Sequence, residues 1–366
     1  MEEDDVLPGS EEQVMSEVHL GCPPRFSGPF ITHFTFPVPP KGCASTESAE
    51  TLCARILSFD DDGDLVLVRR NLKEKECRPC IHTTVAHCRS FKDDDLDLNQ
   101  RSPTCVTGQI CKLSFQHRIT SSLPNVGLQV WMAALLLSDY ILHRSFTSSA
   151  FDDITALELG SGTGLAGIVL ARAAKKVFLT DHGDEVLDNC VKNTLLNSRF
   201  LKLNETSVHV RELNWKESWP PLAGTYQRSR YSWTSSEVAE VEGATVILAA
   251  DVIYNDDLTD SFFRLLDTIM SQGPEKILYL ALEKRYNFSL DDLDVVANGY
   301  ARFRSCFKNE EEFRKLDDVA LPCFVGDQID IGQIPQYMRE YERGKDLELW
   351  RIRYFANKLK SSRRVQ

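Results

Sequence analysis

Glu158, Gly160, Gly162 and Gly164 stand in the stretch ALELGSGTGLAG, residues 156–167, behind a short apolar run. Glycines at alternate positions between a strand and a helix leave backbone N–H groups bare. A ligand can lie directly against them, and the N-terminus of the following helix favours negative charge there. The same residues also suit a tight strand-to-helix turn that binds nothing. The spacing departs from the dinucleotide fingerprint: G-x-G-x-x-G needs glycine at position 165, where Leu165 stands, so a nicotinamide dinucleotide is disfavoured. About 20 residues further on, KKVFLTD ends in Asp181, a carboxylate able to accept both hydroxyls of a ribose. An N-cap for the helix GDEVLDN is the competing reading of that acid.

A third run, SVHVRELNW, ends in Asn214 and Trp215. An amide there can pair with an adenine edge and an indole can cover a purine face; ordinary core is the alternative for the tryptophan. Acid plus glycines, acid, then amide plus aromatic at three successive strand ends suit an adenosine with an amino-acid tail. S-adenosylmethionine is that molecule.

These residues need a scaffold that brings strand ends together. From about residue 105, apolar runs of strand length (ITALELG, KKVFLTD, ATVILAADVIY, KILYLALEKR) alternate with helical patterns (GLAGIVLARAA, DEVLDNCVKNTLLN, DDLTDSFFRLLDTIMSQ). That alternation predicts an α/β fold, a doubly wound, mostly parallel sheet with helices on both faces. VGLQVWMAALLLSDYILHR predicts one long amphipathic helix ahead of it, and LELWRIRYF a closing strand. SWPPLAGTYQRSRYSWTSSEVAEVEG reads as a patternless insertion.

The remainder divides into two parts. Residues 1–50 are acidic and then Pro-rich, without strand or helix periodicity, and read as disordered or loosely attached. Residues 51–104 read as a small extension with a hairpin in ARILSFDDDGDLVLVRR and a linker in KDDDLDLNQ. Cys77, Cys80, His82, His87 and Cys88 lie too close together for paired zinc ligands, so no metal is expected. The methyl-donor domain is expected over 105–366.

Composition narrows the setting. The 366 residues include 42% hydrophobic ones, enough for a sizeable core, and carry a net charge of −12. That field repels nucleic-acid backbones and favours basic partners. The eleven cysteines form no framework, and the acidic start MEEDDVLPGSEEQ is no secretory signal. No apolar stretch is read as reaching the ~20 residues that span a bilayer. A nuclear or cytoplasmic protein is expected.

At this point the chain resembles the seven-stranded class I S-adenosylmethionine-dependent methyltransferases over roughly residues 115–356. More narrowly, it is similar to the methyltransferase-like branch that modifies lysines of partner proteins. The carriers are GLQVWMAALLLSDYI, LELGSGTGL, LTD, ELNW and AADVIY, the last with the Asp-x-x-Tyr pattern of that branch. LEKRYNF, FRSCF and LELWRI strengthen the likeness. The resemblance implies a role for each position. Glu158 and the glycine loop face the methionine amine and carboxylate, and Asp181 holds the ribose. Asn214 and Trp215 border the adenine. Trp131, on the preceding helix, packs near the cofactor or else belongs to the helix–sheet core. Ala250 and Asp251 leave the fourth strand beneath the sulfonium, and Tyr254 lines the channel for the substrate nitrogen. Glu283 and Arg285 sit on the substrate side, or form a plain surface ion pair. DVIY stands where enzymes acting on adenine, cytosine or glutamine often carry Asn-Pro-Pro-Tyr, which points away from planar amides and base edges. The implied partner is a protein substrate, a chaperone or a nucleic-acid-associated protein, met by a monomer without direct nucleic-acid or membrane contact. A methyltransferase for nucleic acids or small molecules, and a non-catalytic scaffold, are the rival readings.

Overall fold

The computed structural model describes residues 13–16, 18, 29–38, 109–198, 208–221, 230–289, 294–315 and 324–355. The apolar runs form strands that, apart from the half-buried edge strand Val208–Glu212, are buried on both faces, as parallel strands between two helical layers must be. They are β5 (Thr155–Leu159), β6 (Lys176–Asp181), β7 (Val208–Glu212), β8 (Val246–Ala250) and β9 (Ile277–Glu283). With β12 (Phe324–Ile329) and β13 (Leu347–Tyr354) they make one seven-stranded sheet in the order β12-β13-β9-β8-β5-β6-β7, while β10 (Asn287–Ser289) and β11 (Asp294–Val296) pair only with each other. β5 pairs in parallel with both β6 and β8, β6 with β7 and β8 with β9; β13 and β12 run antiparallel. Chain order therefore reverses between β5 and β8. In such sheets the crevice for a ligand opens at this switch point, outside the carboxyl ends. The doubly wound, mostly parallel fold expected from the sequence is the one observed.

Helices α1 (Met132–Thr147), α2 (Leu165–Leu170), α3 (Asp184–Leu196), α4 (Ser235–Glu242) and α5 (Asp256–Met270) accompany the strands. Four sequence expectations need correcting. First, the long helix is shorter than expected. A 3-10 turn, Leu123–Leu128, precedes a break, and α1 begins at Met132 with Trp131 extended at its N-cap. Turn and helix together, Leu123–Thr147, are long and apolar enough to cross a membrane by length and composition, with a mean hydropathy of 1.3. The expectation of no such stretch was wrong, but 67% of the window is buried inside the protein.

Second, Phe30–Val38 is not loosely attached. It forms β2, antiparallel to β3 (Gln109–His117), and Phe34, Phe36, Leu113 and Phe115 are almost wholly buried in the core. The physical cause is non-local: the apolar side chains of β2 find cover only once β3 is beside them. A further short strand from the expected tail, β1 (Gln13–Met15), pairs with β4 (Thr120–Ser122). Third, the patternless insertion contains α4, started by a capping box between Thr234 and Glu237. Fourth, β12 was not expected; it closes the sheet against β13, with Gly326 so near Phe307 that a Cβ would lie 2.4 Å from the ring. The hairpin and the Cys/His cluster expected within 51–104 lie outside the described residues.

Candidate active site

Each predicted site residue can be placed relative to the switch point. Gly160, Gly162 and Gly164 all have positive φ, at 67°, 51° and 81°. At Gly160 a side chain would also collide: a Cβ would lie 2.8 Å from Val252 and 3.2 Å from the Trp215 indole. At Gly162 it would sit 2.9 Å from the Gly127 carbonyl. The loop is therefore a bare backbone cradle wedged between the 3-10 turn and the indole.

Asp181 ends β6 beside that loop. Its Oδ2 accepts from the Gly162 N–H at 2.7 Å and its Oδ1 from the His182 N–H at 2.8 Å. It is not the helix cap; Gly183 occupies that position on α3. The residue is partly exposed as a whole, but its carboxyl group is enclosed, and burial raises it above the usual range. Each oxygen keeps acceptor capacity beyond these bonds, so two hydroxyls can still be received.

Glu158 is held from within the fold. Its side chain turns inward, 2% exposed, and its Oε2 accepts from the Gly167 N–H at 2.9 Å. That bond fastens α2 to the end of β5. Burial, with a smaller push from Asp181, raises its carboxyl to about 8. Between about 4.5 and 8 the folded chain keeps a proton that the unfolded chain has lost. Stability tied to this group is thus complete below the unfolded value and lost as pH rises through the folded one. Glu158→Gln is expected to flatten the fall of the thermal midpoint between about pH 5 and 8, with Asp181 retaining part of the slope. Thermal scans of both proteins across that range check this.

Asn214 is used differently from expectation. Its Oδ1 accepts from the Lys216 N–H at 3.1 Å and its Nδ2 donates to Glu217 at 3.2 Å, closing the turn after β7. The amide expected to pair with an adenine edge is thus engaged locally. Trp215, half-buried, covers Gly160 and packs on Phe262 with ring centres 5.1 Å apart. It borders the crevice and contributes to the core at once.

On the other side of the switch point, Ala250 ends β8 and Asp251 follows with φ 57°, a left-handed conformation rare outside glycine. Its N–H donates to the Ala281 carbonyl at 2.9 Å, which fixes the turn. The residue is 8% exposed, and its carboxylate forms an ion pair with the guanidinium of Arg285, which lies two residues past the end of β9. That guanidinium also stacks 4.8 Å from the centre of the Trp131 ring. Trp131 is anchored by donating its Nε1–H to the Val126 carbonyl at 3.1 Å. Arg285 is therefore neither remote nor a simple surface charge; it joins the loop after β8 to the N-terminus of α1. This linkage was not legible in the sequence. Glu283 ends β9, half-buried and opposite Leu347 of β13.

Tyr254 is 44% exposed, and its phenol is pushed up to about 12, first by burial and then by the carboxylates of Asp181 and Asp251. Both acids at the switch point thus act on one hydroxyl, which stays protonated near neutral pH. A groove of about 650 Å³ lies elsewhere, between α3 and the edge strand β7, lined by Val191, Leu195, Val208 and Tyr231 among others. It contains none of the predicted site residues.

Comparison with known proteins agrees with this geometry. The family described as lysine methyltransferase matches residues 112–296. The chain is 35% identical to methyltransferase-like protein 22 of Mus musculus, over 86% of this chain and 80% of that protein. It is 36% identical to methyltransferase-like protein 22 of Homo sapiens, over 80% and 70%. It is 32% identical to the protein-lysine N-methyltransferase EEF2KMT of Mus musculus, over 45% and 46%.

Proposed function

The chain belongs to the lysine methyltransferase family, and from that premise we propose that it methylates a lysine side chain of a partner protein. The methyl donor is S-adenosylmethionine, which supplies an electrophilic methyl group on a sulfonium. The residues present suit it: a cradle of three glycines where a Cβ at Gly160 or Gly162 would collide, an enclosed acid in Asp181 and a flanking indole in Trp215.

The observation that carries the lysine reading is the resting partner of Asp251. A nearly buried carboxylate at the switch point already holds a cation, the Arg285 guanidinium. A site that stabilises one cation there is electrostatically suited to receive an ammonium. A lysine near pKa ~10.4 is mostly charged at neutral pH and must lose a proton before it can attack. Desolvation and the like charge of the donor's sulfonium favour that loss, while the Asp251 carboxylate, which favours the charged form, receives and orients the nitrogen beforehand. Tyr254 is no base at neutral pH, since its phenol is held near 12; its ring offers a cation–π wall instead. The net charge of −12 favours a basic protein surface over a nucleic acid. The name of the EEF2KMT relative points the same way. A chaperone or a nucleic-acid-associated protein is the partner class we favour, met by a monomer in the nucleus or cytoplasm. Cys111, Cys190 and Cys306 are free thiols, as suits a reducing compartment.

The test is incubation with labelled S-adenosylmethionine and separate protein, RNA and metabolite fractions. Label on lysines of the protein fraction supports the reading; label confined to RNA or metabolites overturns it. Arg285 gives a sharper prediction. Arg285→Ala is expected to lower turnover about tenfold, because removing one charge-assisted partner worth ~1.5 kcal/mol lets Asp251 lose its alignment. Arg285→Lys keeps the charge but not the planar stack on Trp131 and falls between. Initial rates on the labelled protein fraction check both variants.

A further inference from the structure

Helix α3 carries Asn189 and Asn193, and Asn197 follows as its C-cap, the three spaced four residues apart along one face. Each engages the backbone of β3 by its side chain. Asn197 accepts from the Ser114 N–H at 2.9 Å and donates to the Ser114 carbonyl at 2.8 Å. Asn193 accepts from the Gln116 N–H at 2.6 Å and donates to the Gln116 carbonyl at 3.0 Å. Asn189 donates to that same carbonyl at 3.0 Å and accepts from the Gln116 side chain at 2.9 Å. The periodicities agree: four helical residues rise about 6.0 Å, and two strand residues about 6.8 Å. The asparagine face therefore acts as a substitute neighbouring strand for the edge of β3 that faces away from β2.

Asn193 does one thing more. The same Nδ2 donates to the carbonyl of Thr163 at 2.9 Å, in the loop between Gly162 and Gly164. Asn193 is fully buried and Thr163 is 3% exposed, so water cannot replace this bond. Gly162 is also held by Asp181, and Gly164 is in a left-handed conformation. The carbonyl between them has its orientation set from the β3 side. One amide thus touches both the N-terminal strand pair and the cofactor cradle.

We propose that Asn193 is a positioning residue through which the β2–β3 pair sets the conformation of the cofactor loop, so that cofactor affinity depends on the docking of that pair. The proposal rests on the family's cofactor and not on which acceptor is methylated. It extends the site to an element that the sequence places far from the chemistry.

The experiment uses the full chain, with S-adenosylhomocysteine as the probe. Binding is measured by calorimetry well below the thermal midpoint of each variant. Asn193→Ala is expected to weaken binding about tenfold, the equivalent of one or two hydrogen bonds. Asn197→Ala loses its bonds to Ser114 and to the Asn193 carbonyl but touches no loop residue; it loosens the pair while the Asn193–Thr163 bond stays, and is expected to weaken binding about threefold, less than Asn193→Ala. Wild-type affinity in folded Asn193→Ala, or an equal weakening in Asn197→Ala, overturns the proposal. A second measurement needs no variant. Coupling is reciprocal, so the ligand should slow amide exchange at Ser114 and Gln116 as well as at Gly162–Gly164. Protection of the loop with no change in β3 also overturns it. If the unaltered chain fails to bind the probe, the cofactor assignment itself falls, a result distinct from these.

Discussion

Replacing Asp251 with asparagine lowers methyl transfer by roughly a hundredfold to a thousandfold, the loss seen when a preorganised charge is removed from a water-poor site. The shape is kept, and asparagine tolerates the left-handed backbone that Asp251 adopts at φ 57°. What disappears is the negative charge that balances Arg285 now and would orient an ammonium during turnover. Affinity for S-adenosylhomocysteine should stay within about threefold, since the bonds of Asp181 and the glycine loop do not involve this side chain. The split between lost turnover and kept cofactor binding is the signature. A folded Asp251→Asn protein with full turnover would remove Asp251 from the chemistry.

The second large effect falls on the cofactor side. Asp181→Ala is expected to weaken S-adenosylhomocysteine binding by roughly a hundredfold to a thousandfold. Two hydroxyls received by one carboxylate contribute about 1.5–2 kcal/mol each, the low end for bonds to a charged group, so the loss is about 3–4 kcal/mol. The substitution also frees the Gly162 N–H, now bonded at 2.7 Å, and so loosens the cradle itself. Calorimetric titration reads the change directly. Unaltered affinity would mean that the ribose is not held at the end of β6.

The strand ends were legible because their signal is local. TALEL, KVFLTD and VILAA are short, apolar and separated by helical patterns, so their carboxyl ends could be aligned without knowledge of contacts. The position of Asp181 follows from that alignment alone, whereas Ala250 and Asp251 were placed by the family resemblance, since the run ATVILAADVIY does not itself mark where β8 ends. Side-chain direction follows from neither. Glu158 lies one residue before the end of β5, and only the packing of α2 shows that it turns to the Gly167 N–H. Asn214 could serve a ligand or its own turn, and the Lys216 N–H two residues on decides for the turn. β2 was hidden for another reason. Its partner β3 begins about 70 residues later, and the prolines on either side of Phe30–Val38 suggest a loop when burial of Phe34 and Phe36 is not visible. Arg285 reaches from the end of β9 to the end of β8, a contact across 34 residues of chain that only the pairing of the two strands reveals. The asparagine spacing on α3 was written in DNCVKNTLLN, but its meaning needed β3 beside it.

The most direct measurement supplies S-adenosylmethionine bearing a deuterated methyl group to extracts of cells that lack this protein. Purified unaltered chain or Asp251→Asn is added, and modified residues are identified by mass spectrometry. Deuterated methyl on one or a few lysines, present with the unaltered chain and nearly absent with Asp251→Asn, is the result expected. Label that spares lysine, or that is equal with both proteins, would contradict the assignment.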